Sequence, residues 1–288
     1  MTTVAFKQVD VFTERPFQGN PVAVILDGDG LSTEEMQRIA RWTNLSETTF
    51  VVPSSTASYR LRIFTPRNEL PFAGHPTIGS AHAILESGLV QPQDGQITQE
   101  CSAGVIPIRL GANGSLSARV PAPKVLRDQT VEVARLTALI GAPVESTPAP
   151  AAVDVGPVWF IAQVTSTAAL AAAQPNYDAI AALSREAHLT GVTAFAIDHT
   201  PGAPKIHLRS FAPDAGINED PVCGSCNASV GAYLGATGLL SQTGSSYIAA
   251  QGMQLGRDGR VAVEVRGPDH VEIGGRAVTV VDGTIRLD

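Results

Sequence analysis

Only 16% of this 288-residue chain is charged, it holds just three cysteines, and none of its apolar runs reaches the roughly 18 residues of a membrane span. Lys and Arg (20) are outnumbered by Asp and Glu (27), and no basic run forms a nucleic-acid footprint, which argues against DNA or RNA binding. Cys101, Cys223 and Cys226 cannot build a disulfide framework or fill a four-cysteine zinc site, so they are expected as reduced thiols. The N-terminal MTTVAFKQVDVF lacks a basic start followed by an apolar stretch, which predicts no secretory signal, a cytoplasmic location and no membrane partner. The Asn-x-Ser/Thr matches at Asn44, Asn113 and Asn227 then carry no weight. With no HExxH, no P-loop and no GxGxxG after a strand, zinc-protease, nucleotide-hydrolase and dinucleotide-dehydrogenase readings lose their signatures, and no metal site is expected.

What the chain does have is a 44% hydrophobic composition and a net charge of −7, modest for its length, which predict a globular protein. The length allows one large domain or two of about 140 residues. VAFKQVDVF, a Pro/Gly/Asn turn at Pro16 to Pro21, and VAVIL at Val22 to Leu26 read as a hairpin-like pair. Ser32 or Thr33 then caps a helix, EEMQRIARWTN, with Met36, Ile39 and Ala40 at helical spacing and acids in its first turn. TTFVVP and SYRLRIFTP are strand candidates, and the later half of FAGHPTIGSAHAILESG is helical.

The second half replays this order. VDVGPVWFIA follows the pattern of VDVFTERPFQGNPVAVI with a shorter turn. YDAIAALSREAHLTGVTAFAID follows STEEMQRIARWTNLSETTFVVP, placing Phe195 on Phe50 and Val192 on Glu47. RSFAP (Arg209 to Pro213) matches RIFTP (Arg62 to Pro66), and AGHPTIGSAHAIL is matched by CGSCNASVGAYL. A duplicated β-rich unit, each copy wrapping an Ala/Gly-rich helix, explains the small residues at Gly79 to Ala83 and Ala228 to Gly235, although any α/β chain carries some chance similarity between halves. Two such halves are expected to hold a site in the cleft between them.

Three places could carry chemistry. Glu47 lies between a helix and a strand, flanked by Ser46 and Thr48, at a position that is apolar in the other half. In an apolar cleft its pKa would rise towards neutrality and suit it to proton transfer; on the surface it would be an ordinary solvated acid. His75, in PFAGHPTIG, could bind substrate or orient an acid, or could merely pack at a helix start. Asp220 to Cys226, DPVCGSC, also opens a helix, where Gly224, like Gly74 before His75, lets an anion approach the backbone; both turns could equally be plain loop geometry. Asp220 could be the N-cap of the coming helix or a partner to substrate or His75. The C-x-x-C of Cys223 and Cys226 raises a dithiol redox reading, with the thiol pKa lowered at a helix N-terminus.

Together, VDVFTERPFQGNPVAVI, LSETTFVVP, RIFTPRNELPFAGHPTIGSA and EDPVCGS resemble, in order and spacing, the PhzF-like family, related in fold to diaminopimelate epimerase and proline racemase. The resemblance implies an α+β fold of two similar domains related by a pseudo-twofold, each a strand-rich half-barrel around a central helix. Residues 1–120, with a last strand at about 275–288 as a candidate addition, would form one and 121–274 the other. It implies a homodimer, no cofactor, and a small-molecule carboxylate substrate isomerised by proton transfer between carbons, as in the family's dihydro-hydroxyanthranilate isomerase. By this resemblance Glu47 is the acid/base, with His75 and Asp220 also catalytic. Gly74, Gly224, Ser225 and Cys223 would line the substrate. Cys223 stands where the related epimerases carry a catalytic cysteine in a Cys-Gly-Thr turn, so an epimerase using Glu47 and Cys223 is an alternative. A binder without catalysis on the same scaffold is another.

Overall fold

The alternating run VAFKQVDVF forms strand β1 (Thr3–Val11), which turns back into β2 (Asn20–Ile25) in antiparallel register, with Val9 opposite Val22. The structure, a computed structural model, describes residues 3–267 and 269–286. Helix α1 (Thr33–Thr43) starts where the sequence signals it: Ser32 is the N-cap, its side chain accepting from the Glu35 N–H while the Glu35 carboxylate accepts from the Ser32 N–H. Asn44 closes the helix in the left-handed region. The crossover brings β3 (Thr48–Val52) parallel to β2, and β4 (Tyr59–Phe64) and β5 (Glu69–Leu70) follow antiparallel. Met36, Ala40, Phe50 and Phe64 pack together beneath α1.

Helix α2 (Gly74–Glu86) begins earlier in its segment than the sequence pattern predicts, directly after Ala73. Pro76 lies in the first turn, where a missing N–H breaks no helical bond. Every residue from Gly74 to Ala81 is buried, so the helix shows no polar face and must be enclosed. Gly79 sets how closely it seats: a Cβ there would lie 2.4 Å from Val22 Cγ1 and 2.7 Å from Val11 Cγ2. Strand β6 (Gln96–Cys101) then runs parallel to β4, followed by the antiparallel β7 (Gly104–Leu110) and β8 (Leu116–Arg119).

The next segment builds the same order again. It comprises β9 (Lys124–Leu126), α3 (Val133–Ile140), β10 (Ala151–Asp154), β11 (Val158–Gln163), α4 (Thr167–Ala172), α5 (Tyr177–Glu186), β12 (Gly191–Ile197), β13 (Ile206–Ala212) and β14 (Ile217–Asp220). Buried helix α6 (Gly224–Thr237), α7 (Leu240–Thr243), β15 (Ser246–Gln251), β16 (Gly259–Gly267) and β17 (His270–Gly275) complete it. Strands β10 and β11 are antiparallel, β12 is parallel to β11 after the α4–α5 crossover, β13 and β14 are antiparallel, and β15 returns parallel to β13 after α6. The last strand, β18 (Ala277–Arg286), lies antiparallel to β1, as β9 lies to β10. The chain divides into two compact units: Met1–Arg119 with Gly274–Asp288, and Val120–Ile273.

Matching side chains recur inside the two units. Arg62 makes a two-pronged pair with Glu69 (2.8 and 2.7 Å) and stacks over Phe64; Arg209 does the same with Glu219 (2.9 and 2.8 Å) and Phe211. The second pair is the more buried, and Arg209 also donates to the Leu170 and Ala173 carbonyls.

This repeat corrects one sequence alignment. Thr48 pairs with Phe64 and Val192 pairs with Phe211, so Val192 is the counterpart of Thr48, and Gly191 is the counterpart of Glu47. Matching Phe195 to Phe50 is a one-residue slip, which in a strand exchanges the two faces.

Candidate active site

Glu47 is placed by the α1–β3 connection, its carbonyl taking a bond from the Ala23 N–H at 3.4 Å. His75 is the second residue of α2. Both side chains are largely buried, and His75 Nε2 approaches Glu47 Oε2 at 3.2 Å. Burial raises the Glu47 pKa from 4.5 to about 7, with a hydrogen bond from Ser46 pulling the other way. With its side chain only 15% exposed, Glu47 is not the solvated surface acid of the alternative reading. Asn20, at the start of β2, accepts from Ser46 Oγ at 3.5 Å and so belongs to this cluster. Gly74 adjoins it at the start of α2.

Asp220, Cys223, Gly224 and Ser225 form a second cluster, within the other unit. The N-cap of α6 is Cys223, not Asp220. Asp220 sits three residues earlier at the end of β14, where its Oδ1 accepts from the Val222 N–H at 3.0 Å and tightens the turn. Cys223 and Cys226 are joined as a disulfide, while Cys101 is a buried thiol, so the expectation of three reduced thiols fails for the C-x-x-C pair. Spacing alone does not decide pairing; here the first helical turn brings residues i and i+3 to one side. A disulfide sulfur has no proton to give or take, which counts against the Glu47/Cys223 epimerase pairing.

Sequence reasoning overlooks what fixes this turn. Buried Gln251 accepts from the Cys223 N–H (3.0 Å) and from Asn227 (3.2 Å) and donates to the Asp220 carbonyl (2.9 Å). Trp159 donates its indole N–H to Ser225 Oγ at 3.0 Å. A glutamine closing the strand SYIAAQ, and one of only two tryptophans in the chain, are the signals the sequence holds. Among the described residues no group of three or more His, Cys, Asp or Glu side chains is arranged to hold a metal ion, and no helix is long and apolar enough to cross a membrane.

A family model described as phenazine biosynthesis-like protein, PhzC-PhzF, matches residues 9–283. The chain belongs to this family. It is 38% identical over 98% of its length to antisense-enhancing sequence 1 of Schizosaccharomyces pombe, covering 99% of that protein. It is 34% identical to the trans-2,3-dihydro-3-hydroxyanthranilate isomerase of Pseudomonas aeruginosa, covering 97% of this chain and 98% of the relative. Among solved structures, a Bacillus anthracis PhzF-family protein superposes with a TM-score of 0.87 at 29% identity, over 99% of this chain and 100% of that one. A hydroxyproline epimerase of Agrobacterium vitis shares the fold alone, with a TM-score of 0.63 at 16% identity over 99% and 93% of the two chains. The fold is thus the sheet-dominated α+β type common to PhzF-family proteins and proline-type epimerases, and the curated relatives include several named isomerases.

Proposed function

We propose that the protein is an isomerase that moves a proton between carbons of a small, carboxylate-bearing ring substrate similar to trans-2,3-dihydro-3-hydroxyanthranilate. The observation that carries this reading is the buried Glu47, with a pKa raised to about 7 and His75 3.2 Å away. As a carboxylate it takes a proton from carbon; the resulting acid is strong enough to return it to another carbon without an external proton source. His75, beside the reacting carboxyl, stabilises whichever state carries the charge. In this proposal the second cluster binds carboxylate. The N–H groups opening α6, a helix of 14 residues, and the Ser225 hydroxyl take the substrate carboxylate, with Cys223 and Gly224 forming the wall beside it and Asp220 meeting an amine or hydroxyl. The replayed strand order and the twin Arg–Glu–Phe groupings support two copies of one half-barrel as the origin of the fold. The test is turnover of trans-2,3-dihydro-3-hydroxyanthranilate by the wild type and by Glu47→Gln, which keeps the shape of the side chain and removes its acid/base function. A folded Glu47→Gln protein with full activity refutes the assignment.

A further inference from the structure

The counterpart of Glu47 in the second unit is Gly191, and the space is not empty. Parallel pairing sets Gly191 beside Trp159, and a Cβ at Gly191 would lie 2.1 Å from the Phe211 carbonyl oxygen and 2.8 Å from Trp159 Cζ3. The Phe211 carbonyl and the indole together occupy the room that a side chain would need. The second residue of α2 is His75, and the second residue of α6 is Ser225. Each therefore meets one partner from the sheet: His75 meets a carboxylate, Ser225 an indole N–H. One unit sets two titratable side chains next to each other, the other a pair that cannot exchange a proton, because an indole N–H only donates.

The direction of the Ser225 proton follows. Ser225 Oγ accepts from Trp159 Nε1 at 3.0 Å and lies 3.3 Å from Cys223 Sγ, which is bonded to Cys226 and has no hydrogen. The hydroxyl hydrogen is therefore the donor toward the sulfur. A thioether-like or disulfide sulfur is a weak acceptor, so a carboxylate oxygen arriving at the helix start takes that hydrogen in its place. Trp159 is only 3% exposed, whereas Ser225 is half-buried and reachable.

We propose that Trp159 is a positioning residue: its indole N–H holds Ser225 as an outward donor and thereby sets the affinity of the α6 start for a ring-borne carboxylate. This deepens the isomerase reading, and rests on it for the role of Ser225. It also assigns the two units different tasks, proton transfer at Glu47 and anion holding at Ser225.

The experiment uses cyclohexanecarboxylate as probe, so that it does not depend on turnover. Calorimetric titration of wild type, Trp159→Phe, Ser225→Ala and the double variant is expected to show binding by the wild type, about tenfold weaker binding by Trp159→Phe, and no further loss when Trp159→Phe is added to Ser225→Ala. Wild-type affinity in Trp159→Phe, losses that multiply in the double variant, or no binding by the wild type would each overturn the proposal. Should Trp159→Phe fail to fold, Trp42→Phe leaves Trp159 as the sole tryptophan; Trp42 is 76% exposed. The probe should then alter Trp159 emission, and Ser225→Ala in that background should abolish the response; an undiminished response contradicts the proposal. With the isomerase substrate, Trp159→Phe should raise KM while leaving kcat and the Glu47 limb of the pH profile in place. The expected weakening of probe binding in Trp159→Phe alongside no turnover of the isomerase substrate by the wild type would retain the Trp159 role and remove the isomerase assignment.

Discussion

Glu47→Gln should make the protein more stable, and by an amount that depends on pH. Burial lifts the Glu47 pKa from 4.5 to about 7, so the native state resists ionising a group that the unfolded chain ionises freely. Below about pH 4.5 both states are protonated and the shift costs nothing. Between 4.5 and 7 the unfolded chain binds fewer protons than the native one, so native stability falls as pH rises; above 7 the full penalty is present. A shift of that size corresponds to about 3 kcal/mol, and the side chain is 15% exposed, so solvent screening trims it only modestly. Gln has no charge to bury and removes the effect. Urea unfolding of wild type and Glu47→Gln across pH 4 to 8 should give curves that nearly coincide in stability at the acid end and separate by up to about 3 kcal/mol at the alkaline end. A difference that is independent of pH, or one that grows toward acid, refutes the assignment of a raised pKa to this carboxyl.

Three further outcomes follow from the same geometry. In the pH profile of kcat/KM, the acid limb should rise with an apparent value near 7 as Glu47 ionises, and this limb should vanish from any residual activity of Glu47→Gln. Gly79→Ala places a Cβ 2.4 Å from Val22 and should cost about 1–3 kcal/mol in chemical denaturation, because α2 has no free side toward which to move. Glu219→Ala strands the buried Arg209 and should cost about 3–5 kcal/mol, whereas Glu69→Ala at the more exposed matching pair should cost about 1 kcal/mol or less; equal costs would contradict the burial difference.

The sequence carried much of this, through patterns whose physics is local. The α1 boundary was legible because Ser32 and Glu35 satisfy each other's N–H groups within one turn. The two small-residue helices were legible because a helix without a polar face has to be enclosed. Glu47 and His75 stood out in their motifs, but their 3.2 Å approach depends on α2 docking against the sheet, and spacing along the chain does not encode it. Asp220 misled because an Asp near a helix start usually caps it; here the chain needs three more residues to turn, and the cap falls on Cys223. Gly191 was hidden by a one-residue slip that matched Phe195 to Phe50, when the strand pairing aligns Ala194 with Phe50 through their partners Arg209 and Arg62. With the slip removed, the glycine that stands at the Glu47 position in the second unit and the presence of Trp159 beside it become one observation.

The central claim is that Glu47 carries the proton from one carbon to another. The measurement that meets it most directly is the isomerisation rate of trans-2,3-dihydro-3-hydroxyanthranilate by wild type and Glu47→Gln, with carbon-bound protons followed by NMR. The account predicts turnover by the wild type and a loss of about 100-fold or more in a Glu47→Gln protein that still folds and still binds carboxylate. Wild-type rates of carbon-proton movement in Glu47→Gln would contradict it.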